Sequence, residues 1–342
     1  MKIMALVLRI LRQFLRDKRT LALMLIAPLF VLTLMSLVFG GKAYHPHLGT
    51  IGELNGLSSV IQEESASLTT YPNLEQAEAA LENREIDAVI SMKSDRSLFV
   101  KLEGSEGSVN RAVLQLLQKM MSTLHPTAAA EPEITYLHGS ADMTSLDQFG
   151  PILIGFFVFF FVFLVAGVAF LRERTSGTLE RLLSTPLRRW EIVMGYVAGF
   201  GIFTIVQALL ISWYSIQVLG IMMEGAFWLV LLLTLLMSLT ALTLGTLLSA
   251  YADNELQMIQ FIPIIIVPQL FLSGLFPLET LPGWLRALGK IMPLPYGAQG
   301  MSDVMLRGKG WSAIAGDVYI LLAFSLVFMI LNILALKKYR KI

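Results

Sequence analysis

The sequence predicts an α-helical multi-pass membrane protein with six transmembrane helices and a small α/β extracytoplasmic domain between the first and the second. Two observations carry this prediction. The chain has 342 residues, of which 55% are hydrophobic and only 15% are charged, whereas soluble domains carry about 25% charged residues. It also contains six charge-free runs of 19 to 32 residues, and about 20 apolar residues cross the hydrocarbon core as a helix.

The charge-free runs define the predicted transmembrane helices. They are 20–41, 148–171, 192–223, 225–252, 256–278 and 318–336. The first is longer than the apolar part of a signal peptide, usually about 7–15 residues, so we predict an uncleaved first helix over 20–41; cleavage near "VFGGKA" is the alternative. The remaining segment, 148–342, is predicted to be a five-helix transmembrane domain. No run contains Asp, Glu, Lys, Arg or His, which argues against a proton-driven carrier.

The distribution of Lys and Arg predicts the orientation of these helices. The N-terminal segment, the segment 172–191 and the C-terminus together carry 15 basic residues. Six spans place all three on one side, which we therefore expect to be the cytoplasm, in a chain that lies in the cell membrane. The net charge of +1 gives no indication of a nucleic-acid partner.

Residues 1–19 are predicted to form a cytoplasmic amphipathic helix in the membrane interface. The apolar side carries Ile3, Val7, Ile10 and Phe14 at helical spacing. The opposite side carries Arg9, Arg12, Arg16 and Arg19. This pattern is typical of a helix whose basic face meets anionic lipid headgroups, and the same face would suit a cytoplasmic partner. The alternative is a basic flank with no helix of its own.

Residues 42–147 are predicted to form the extracytoplasmic α/β domain. The segment carries 7 basic and 15 acidic residues. Three stretches have strand character: "HLGTIGE", "DAVISM" and "SLFVKLE". Two stretches have helix character, "NLEQAEAALENREI" with Asn73 as N-cap and "SVNRAVLQLLQKMMSTL" ended by Pro126. The chain has no cysteine, and its four histidines lack a ligand spacing, so we predict no metal site.

Six prolines interrupt the chain between positions 263 and 295. We therefore predict an outer broken-helix segment over 272–300, because irregular backbone at membrane depth requires cover by protein or by a water-filled cavity. The alternative is a proline-rich loop on the outer surface.

The polar segment "LRERTSGTLERLLSTPLRRW" joins the second and third predicted helices. Gly177 permits a tight turn, "TLERLL" forms under two turns of helix, and Pro186 suits the first position of the next helix. The prediction is a short helix that cannot move without moving both spans. An ordinary charged loop is the alternative.

This segment resembles the signature of the type-2 ATP-binding-cassette (ABC) permease family. The matching residues are Glu173, Arg174, Gly177, Thr178, Glu180, Leu183, Thr185 and Pro186. The later stretch "LSGLFPLETLPGWL…IMPLPYG" resembles the second signature of that family. The order of one span, a large outer domain and five further spans is similar as well.

The resemblance implies the permease subunit of an ABC exporter, which is not itself an enzyme. A cytoplasmic ABC ATPase would dock on the coupling loop 172–190 and on the N-terminal helix, and a second permease chain, identical or homologous, would complete the dimer. The coupling residues would be Glu173, Arg174, Gly177, Thr178, Glu180, Arg181, Leu183 and Pro186. ATP and magnesium would bind to the ATPase and no cofactor to this chain, whose three Gly-Lys pairs lack the pattern of a phosphate-binding loop. A compact half-transporter is typical of bacteria.

The expected cargo is an amphipathic or lipophilic compound, such as a drug, an antibiotic or a lipid-like molecule. The candidate substrate path is lined by Phe156, Phe160, Phe163, Gln207, Gln260 and Gln269; for the phenylalanines the alternative is a lipid-facing or packing surface. Two other functions are open: a sodium-efflux permease, and a membrane sensor with an extracytoplasmic ligand domain. The pair Gly195 and Gly199 is predicted to allow close contact with another helix.

Overall fold

The chain forms two compact units in the computed structural model, Met1–Gly40 with His138–Ile342 and Gly41–Leu137. The structure describes residues 2–39, 46–51, 67–83, 85–92, 98–102, 112–118, 144–276 and 281–339. The predicted helix end at Pro126 lies outside the described residues, as does part of the broken segment 272–300.

Within the described residues, the first unit contains six helices that are long and apolar enough to cross a membrane. In chain order, and called spans 1 to 6 below, they are Lys18–Phe39, Ser145–Thr175, Arg189–Gln217, Phe227–Ser249, Glu255–Leu275 and Trp311–Ala335. Each coincides with one predicted run, which confirms the six-helix prediction. More than half of the most apolar part of spans 2, 3 and 4 is buried within the unit, whereas less than a third of the corresponding part of spans 1, 5 and 6 is buried.

Spans 2 and 4 approach each other closely because two glycines meet. A Cβ atom on Gly245 would lie 2.6 Å from the carbonyl oxygen of Phe163. A Cβ atom on Gly167 would lie 3.3 Å from the carbonyl oxygen of Gly245. Helices in lipid gain dispersion energy from such contacts, because small residues let their backbones come together.

Hydroxyl and amide groups join span 4 to span 6. Thr240 Oγ1 and Ser325 Oγ are 2.8 Å apart, and Asn332 Nδ2 donates to the carbonyl oxygen of Thr243 at 2.8 Å. Elsewhere in span 4, hydroxyls bond to carbonyls one turn back in their own helix, as Ser238 does to Thr234 at 2.8 Å.

The N-terminal helix covers Lys2–Arg16, so the predicted boundary at residue 19 is wrong. Asp17 separates this helix from span 1, because its carboxylate accepts hydrogen bonds from the backbone N–H of Thr20 at 3.1 Å and from Thr20 Oγ1 at 2.6 Å. Asp17 thereby acts as the N-terminal cap of span 1, and Arg19 belongs to span 1 rather than to the N-terminal helix. The bonds from Thr20, with Arg172 nearby, lower the pKa of Asp17.

The N-terminal helix packs against span 3 through the predicted apolar face. Its buried residues are Leu6, Val7, Ile10 and Phe14. Gly195 lies against the side chain of Leu6, and a Cβ atom on Gly199 would lie 3.0 Å from Ile10, so the prediction that these glycines allow helix contact is confirmed. The predicted apolar face therefore meets protein, and a second apolar row is exposed instead, with Met4, Leu8 and Leu15.

Span 5 and the segment after it depart from regular α-helix. The span contains wide π-helical turns at Ile262–Ile266 and Phe271–Leu275, and Gly274 near its end has φ 92°, a value that glycine tolerates best. Two helices follow, Gly283–Gly289 and Pro293–Met305. Span 6 begins at Trp311, before the charge-free run, and so contains a half-buried carboxylate, Asp317, that the run did not include.

In its described part, the second unit contains a four-stranded mixed sheet in the order β2-β1-β3-β4. The strands are β1 His47–Ile51, β2 Ser67–Tyr71, β3 Ala88–Met92 and β4 Leu98–Leu102. Strand β1 pairs in parallel with β2 and β3, and β4 pairs antiparallel with β3. The helix Leu74–Glu82 packs against the sheet through Ala77, Ala80 and Leu81, and helical residues 112–118 pack on a separate cluster.

Three of these strands and both helices coincide with the predicted stretches. Asn73 Oδ1 accepts the backbone N–H of Gln76 at 2.9 Å, so the predicted N-cap is confirmed. Strand β2 was missed because "SLTTY" is a largely exposed edge strand without the apolar alternation that marks a half-buried strand.

The contact between Gly195 and Leu6 yields a testable prediction. Gly195→Ala should lower the midpoint of thermal unfolding of the full chain in detergent, because overpacking a close contact costs about 1–3 kcal/mol. Gly201→Ala is the matched control in the same span, since a Cβ atom there meets nothing within 4 Å. The control should match or exceed the wild type, because alanine is favoured over glycine in a helix by about 1 kcal/mol. Equal midpoints for the two variants would contradict the packing.

Candidate functional site

The short helix Thr178–Leu183 follows span 2 after a sharp turn. Span 2 ends as the backbone N–H of Ser176 donates to the carbonyl of Arg172 at 2.9 Å and that of Gly177 to the carbonyl of Arg174 at 3.1 Å. Gly177 has φ 71°, so the turn predicted from glycine is confirmed. Leu179 and Leu183 are buried in the core of the helical unit, which fixes the short helix to the spans.

Span 3 begins at Arg189, so the expectation that Pro186 opens this helix is wrong. The carboxylate of Glu191 accepts the backbone N–H of Arg188 at 2.6 Å. This bond satisfies a donor at the helix start, and the helix therefore begins three residues after the proline.

Glu173, at the end of span 2, is a buried carboxylate with two partners. Arg9 of the N-terminal helix donates to its Oε2, and the hydroxyl of Tyr196 in span 3 donates to the same atom at 3.0 Å. The side chain of Glu173 is 5% exposed and that of Arg9 is 33% exposed. Because a buried charge requires partners, this contact binds the N-terminal helix, span 2 and span 3 together.

The two arginines beside Glu173 bind other elements. Arg174 donates to the carbonyl oxygen of Ala250 at 2.7 Å and to that of Ala252, in the connection between spans 4 and 5. Arg172 donates through Nε to Glu255 Oε1 at 2.7 Å, at the start of span 5, and lies 3.6 Å from Asp17 Oδ2. Three successive charged residues therefore tie the end of span 2 to the surrounding helices.

The structure divides the predicted coupling residues into three groups. Glu180, Arg181 and Pro186 are exposed. Glu173, Leu183 and the half-buried Arg174 point into the helical unit, while Gly177 and Thr178 are half-buried at the turn. Of the N-terminal arginines, Arg12, Arg16 and Arg19 are exposed and Arg9 binds Glu173.

Sequence reasoning missed Tyr196, Asp17 and Glu255 as partners of this cluster. A signal for Asp17 was present, because an Asp at the edge of an apolar run is typical of the residue that caps a helix start. Nothing in the sequence indicated Tyr196 as a partner, since a single tyrosine within an apolar run does not show which side of the helix it lies on.

The six candidate path residues lie in different surroundings, and none of them lines the four cavities given by the described residues. Phe156 and Phe160 stack with ring centroids 5.8 Å apart, and Phe163 is buried. Gln269 is structural here, because its amide donates to the carbonyl of Ile265 at 2.9 Å and accepts the N–H of Leu294 at 3.2 Å. Gln260 is exposed. Gln207 is buried, and among the described residues its amide has no hydrogen-bond partner.

Comparison with known proteins defines the class of this chain. Residues 18–334 match the family described as "ABC-2 family transporter protein". The chain therefore belongs to this family, whose members are membrane permease subunits of ABC transporters.

Three relatives show the range of similar proteins. ABC transporter G family member 20 of Dictyostelium discoideum is 28% identical over 194 residues, 56% of this chain and 26% of that protein. The probable multidrug ABC transporter permease YbhS of Escherichia coli is 27% identical over 169 residues, 49% of this chain and 45% of that protein. The linearmycin resistance permease protein LnrN of Bacillus subtilis is 25% identical over 196 residues, which are 54% of this chain and 48% of that protein. The chain thus spans about half or less of the length of these relatives.

The burial of Glu173 yields a second prediction. Glu173→Gln should lower the free energy of unfolding by about 1–3 kcal/mol, less than the loss for a fully buried pair, because water can reach the partly exposed Arg9. Glu180→Gln, on the exposed side of the short helix, should change it by no more than about 0.5 kcal/mol. Denaturation of both full-length variants in the same detergent measures the difference. A Glu173 variant as stable as the Glu180 variant would show that the contact adds nothing.

Proposed function

We propose that this chain is the permease subunit of an ATP-driven exporter that moves an amphipathic or lipophilic compound out of the cell. One observation carries the proposal: the short helix after span 2 is anchored by Leu179 and Leu183 while Glu180 and Arg181 stay exposed. An anchored helix with an exposed charged side suits docking of a separate protein, since charge there governs partner fit. Two of the relatives are named for multidrug transport and linearmycin resistance, which supports a lipophilic or antibiotic cargo.

In this proposal the partner that docks is a cytoplasmic ABC ATPase, which binds ATP and magnesium. The N-terminal helix offers a second basic surface through Arg12 and Arg16, close to anionic lipid headgroups. A second permease chain, identical or homologous, completes the transporter. Both termini then lie in the cytoplasm and the chain spans the cell membrane.

The contacts of span 2 indicate how movement would spread. Displacement of the short helix acts on span 2, which it contacts, and on the core of the helical unit through its two buried leucines. Glu173 passes that displacement to the N-terminal helix, Arg174 to the connection after span 4 and Arg172 to span 5. Coupling requires an element with two arrangements that both sites bias; here that element is span 2 with its attached helices.

Isolation of the tagged full chain from its native membrane tests the partner. We expect an ABC ATPase to co-purify, identified by mass spectrometry. Recovery of the intact chain without an ATPase, under conditions that keep known ABC complexes together, would contradict the proposal.

The charge at the docking helix yields a third prediction. Glu180→Lys should reduce ATPase recovery and transport at least about tenfold while the unfolding midpoint stays unchanged, because a reversed charge opposes docking. Asp253→Lys is the control, since Asp253 is also exposed but lies outside the short helix, and it should behave as wild type. Normal transport by Glu180→Lys would count against docking at this helix.

A further inference from the structure

A cavity of about 310 Å³ lies between the N-terminal helix and spans 1, 2, 3 and 5. Its size is at the lower end of known ligand pockets, roughly 300–1,000 Å³. None of the candidate path residues lines it. It is therefore a separate feature from the predicted path.

The cavity is apolar at one end and charged at the other. On span 2 its lining runs from Leu164 through Val168 to Arg172, eight residues or about 12 Å along a helix axis. On span 5 the lining runs from Ile259 to Glu255 in the same sense. The charged ends of both walls meet, because Arg172 binds Glu255. A ligand that fills this space must itself be amphipathic.

The charged end carries more acid than base. Asp17, Glu173 and Glu255 line the cavity with a single cation, Arg172. Arg9 binds Glu173 from outside the lining, and Arg172 is shared between Glu255 and Asp17. Among the residues of the lining and Arg9, one carboxylate charge is therefore left over. The excess favours a ligand with a positive head.

The apolar end reaches the surface that lipid would cover. Leu23 of span 1 and Ile259 of span 5 both line the cavity, and their exposed fractions are 43% and 47%. A molecule dissolved in the bilayer could thus enter between these two spans without crossing the charged end.

We propose that this cavity binds a monovalent amphipathic cation, with its positive head beside the carboxylates of Asp17 and Glu255 and its apolar body against Leu164, Val168 and Ile259. Its role as an entry site for cargo rests on the proposed export function, whereas the binding itself does not. The ligand class is a lipophilic amine, phosphonium or quaternary ammonium ion.

Binding of two ions of equal shape and opposite charge tests the proposal. The full chain is placed in phosphatidylcholine nanodiscs without ATPase or ATP, and empty discs correct for partition into lipid. Radiolabelled tetraphenylphosphonium should bind saturably at one site per chain, and tetraphenylborate should not. Equal binding of the two ions, or no saturable binding of the cation, would overturn the proposal.

Three variants locate the site. Glu255→Gln should weaken tetraphenylphosphonium binding about tenfold, since it removes the excess charge, and Val168→Trp should abolish binding by filling the cavity. Asp253→Asn is the matched control, an exposed acid that does not line the cavity, and should bind as wild type. An equal loss of binding in Glu255→Gln and Asp253→Asn would show that general surface charge attracts the cation. Binding by Glu255→Gln at the wild-type level would exclude the proposed site. Because the assay contains no ATPase, its failure leaves the docking test of Glu180→Lys unaffected.

Discussion

The helical unit depends on one buried carboxylate. Removing an ion from water costs several kcal/mol unless partners replace the lost hydration, and Glu173 has two partners on two different helices. Arg9 can reach it only if the N-terminal helix lies against span 3, and Gly195 and Gly199 are the residues that let it lie there. The charge pair between Arg9 and Glu173 and the close packing at the two glycines therefore both require the N-terminal helix to lie against span 3.

The neighbours of Glu173 extend this constraint around span 2. Successive residues of a helix point about 100° apart, so three charges in a row face three directions. Arg172 reaches span 5, Glu173 the N-terminal helix and span 3, and Arg174 the carbonyls after span 4. The end of span 2 is thus the point where most of the unit is connected, directly before the exposed short helix.

Sequence patterns predicted what depends on composition and period. The six spans follow from apolar runs, the turn at Gly177 from glycine, and the N-cap at Asn73 from local hydrogen bonding. What the patterns missed depends on tertiary contact. Glu173 and Glu180 look alike in a charged segment, yet one is buried and the other exposed, because only the placement of Arg9 and Tyr196 decides which carboxylate has partners. The same holds for the cavity, whose walls come from five elements spread between Ile10 and Ile259.

The hydroxyls of span 4 have a mechanical consequence. Where a hydroxyl bonds within its own helix, as in Ser238, it offers no hydrogen bond to the neighbouring helix. That neighbour can then shift along the helix axis without breaking a hydrogen bond. Two groups of span 4 also bond to span 6: the hydroxyl of Thr240 lies 2.8 Å from that of Ser325, and the backbone carbonyl of Thr243 accepts a hydrogen bond from Asn332. These two bonds lie almost one helical turn apart along span 4. Spans 4 and 6 can therefore tilt together as a pair, but a shift of one span along the axis of the other would break both bonds at once.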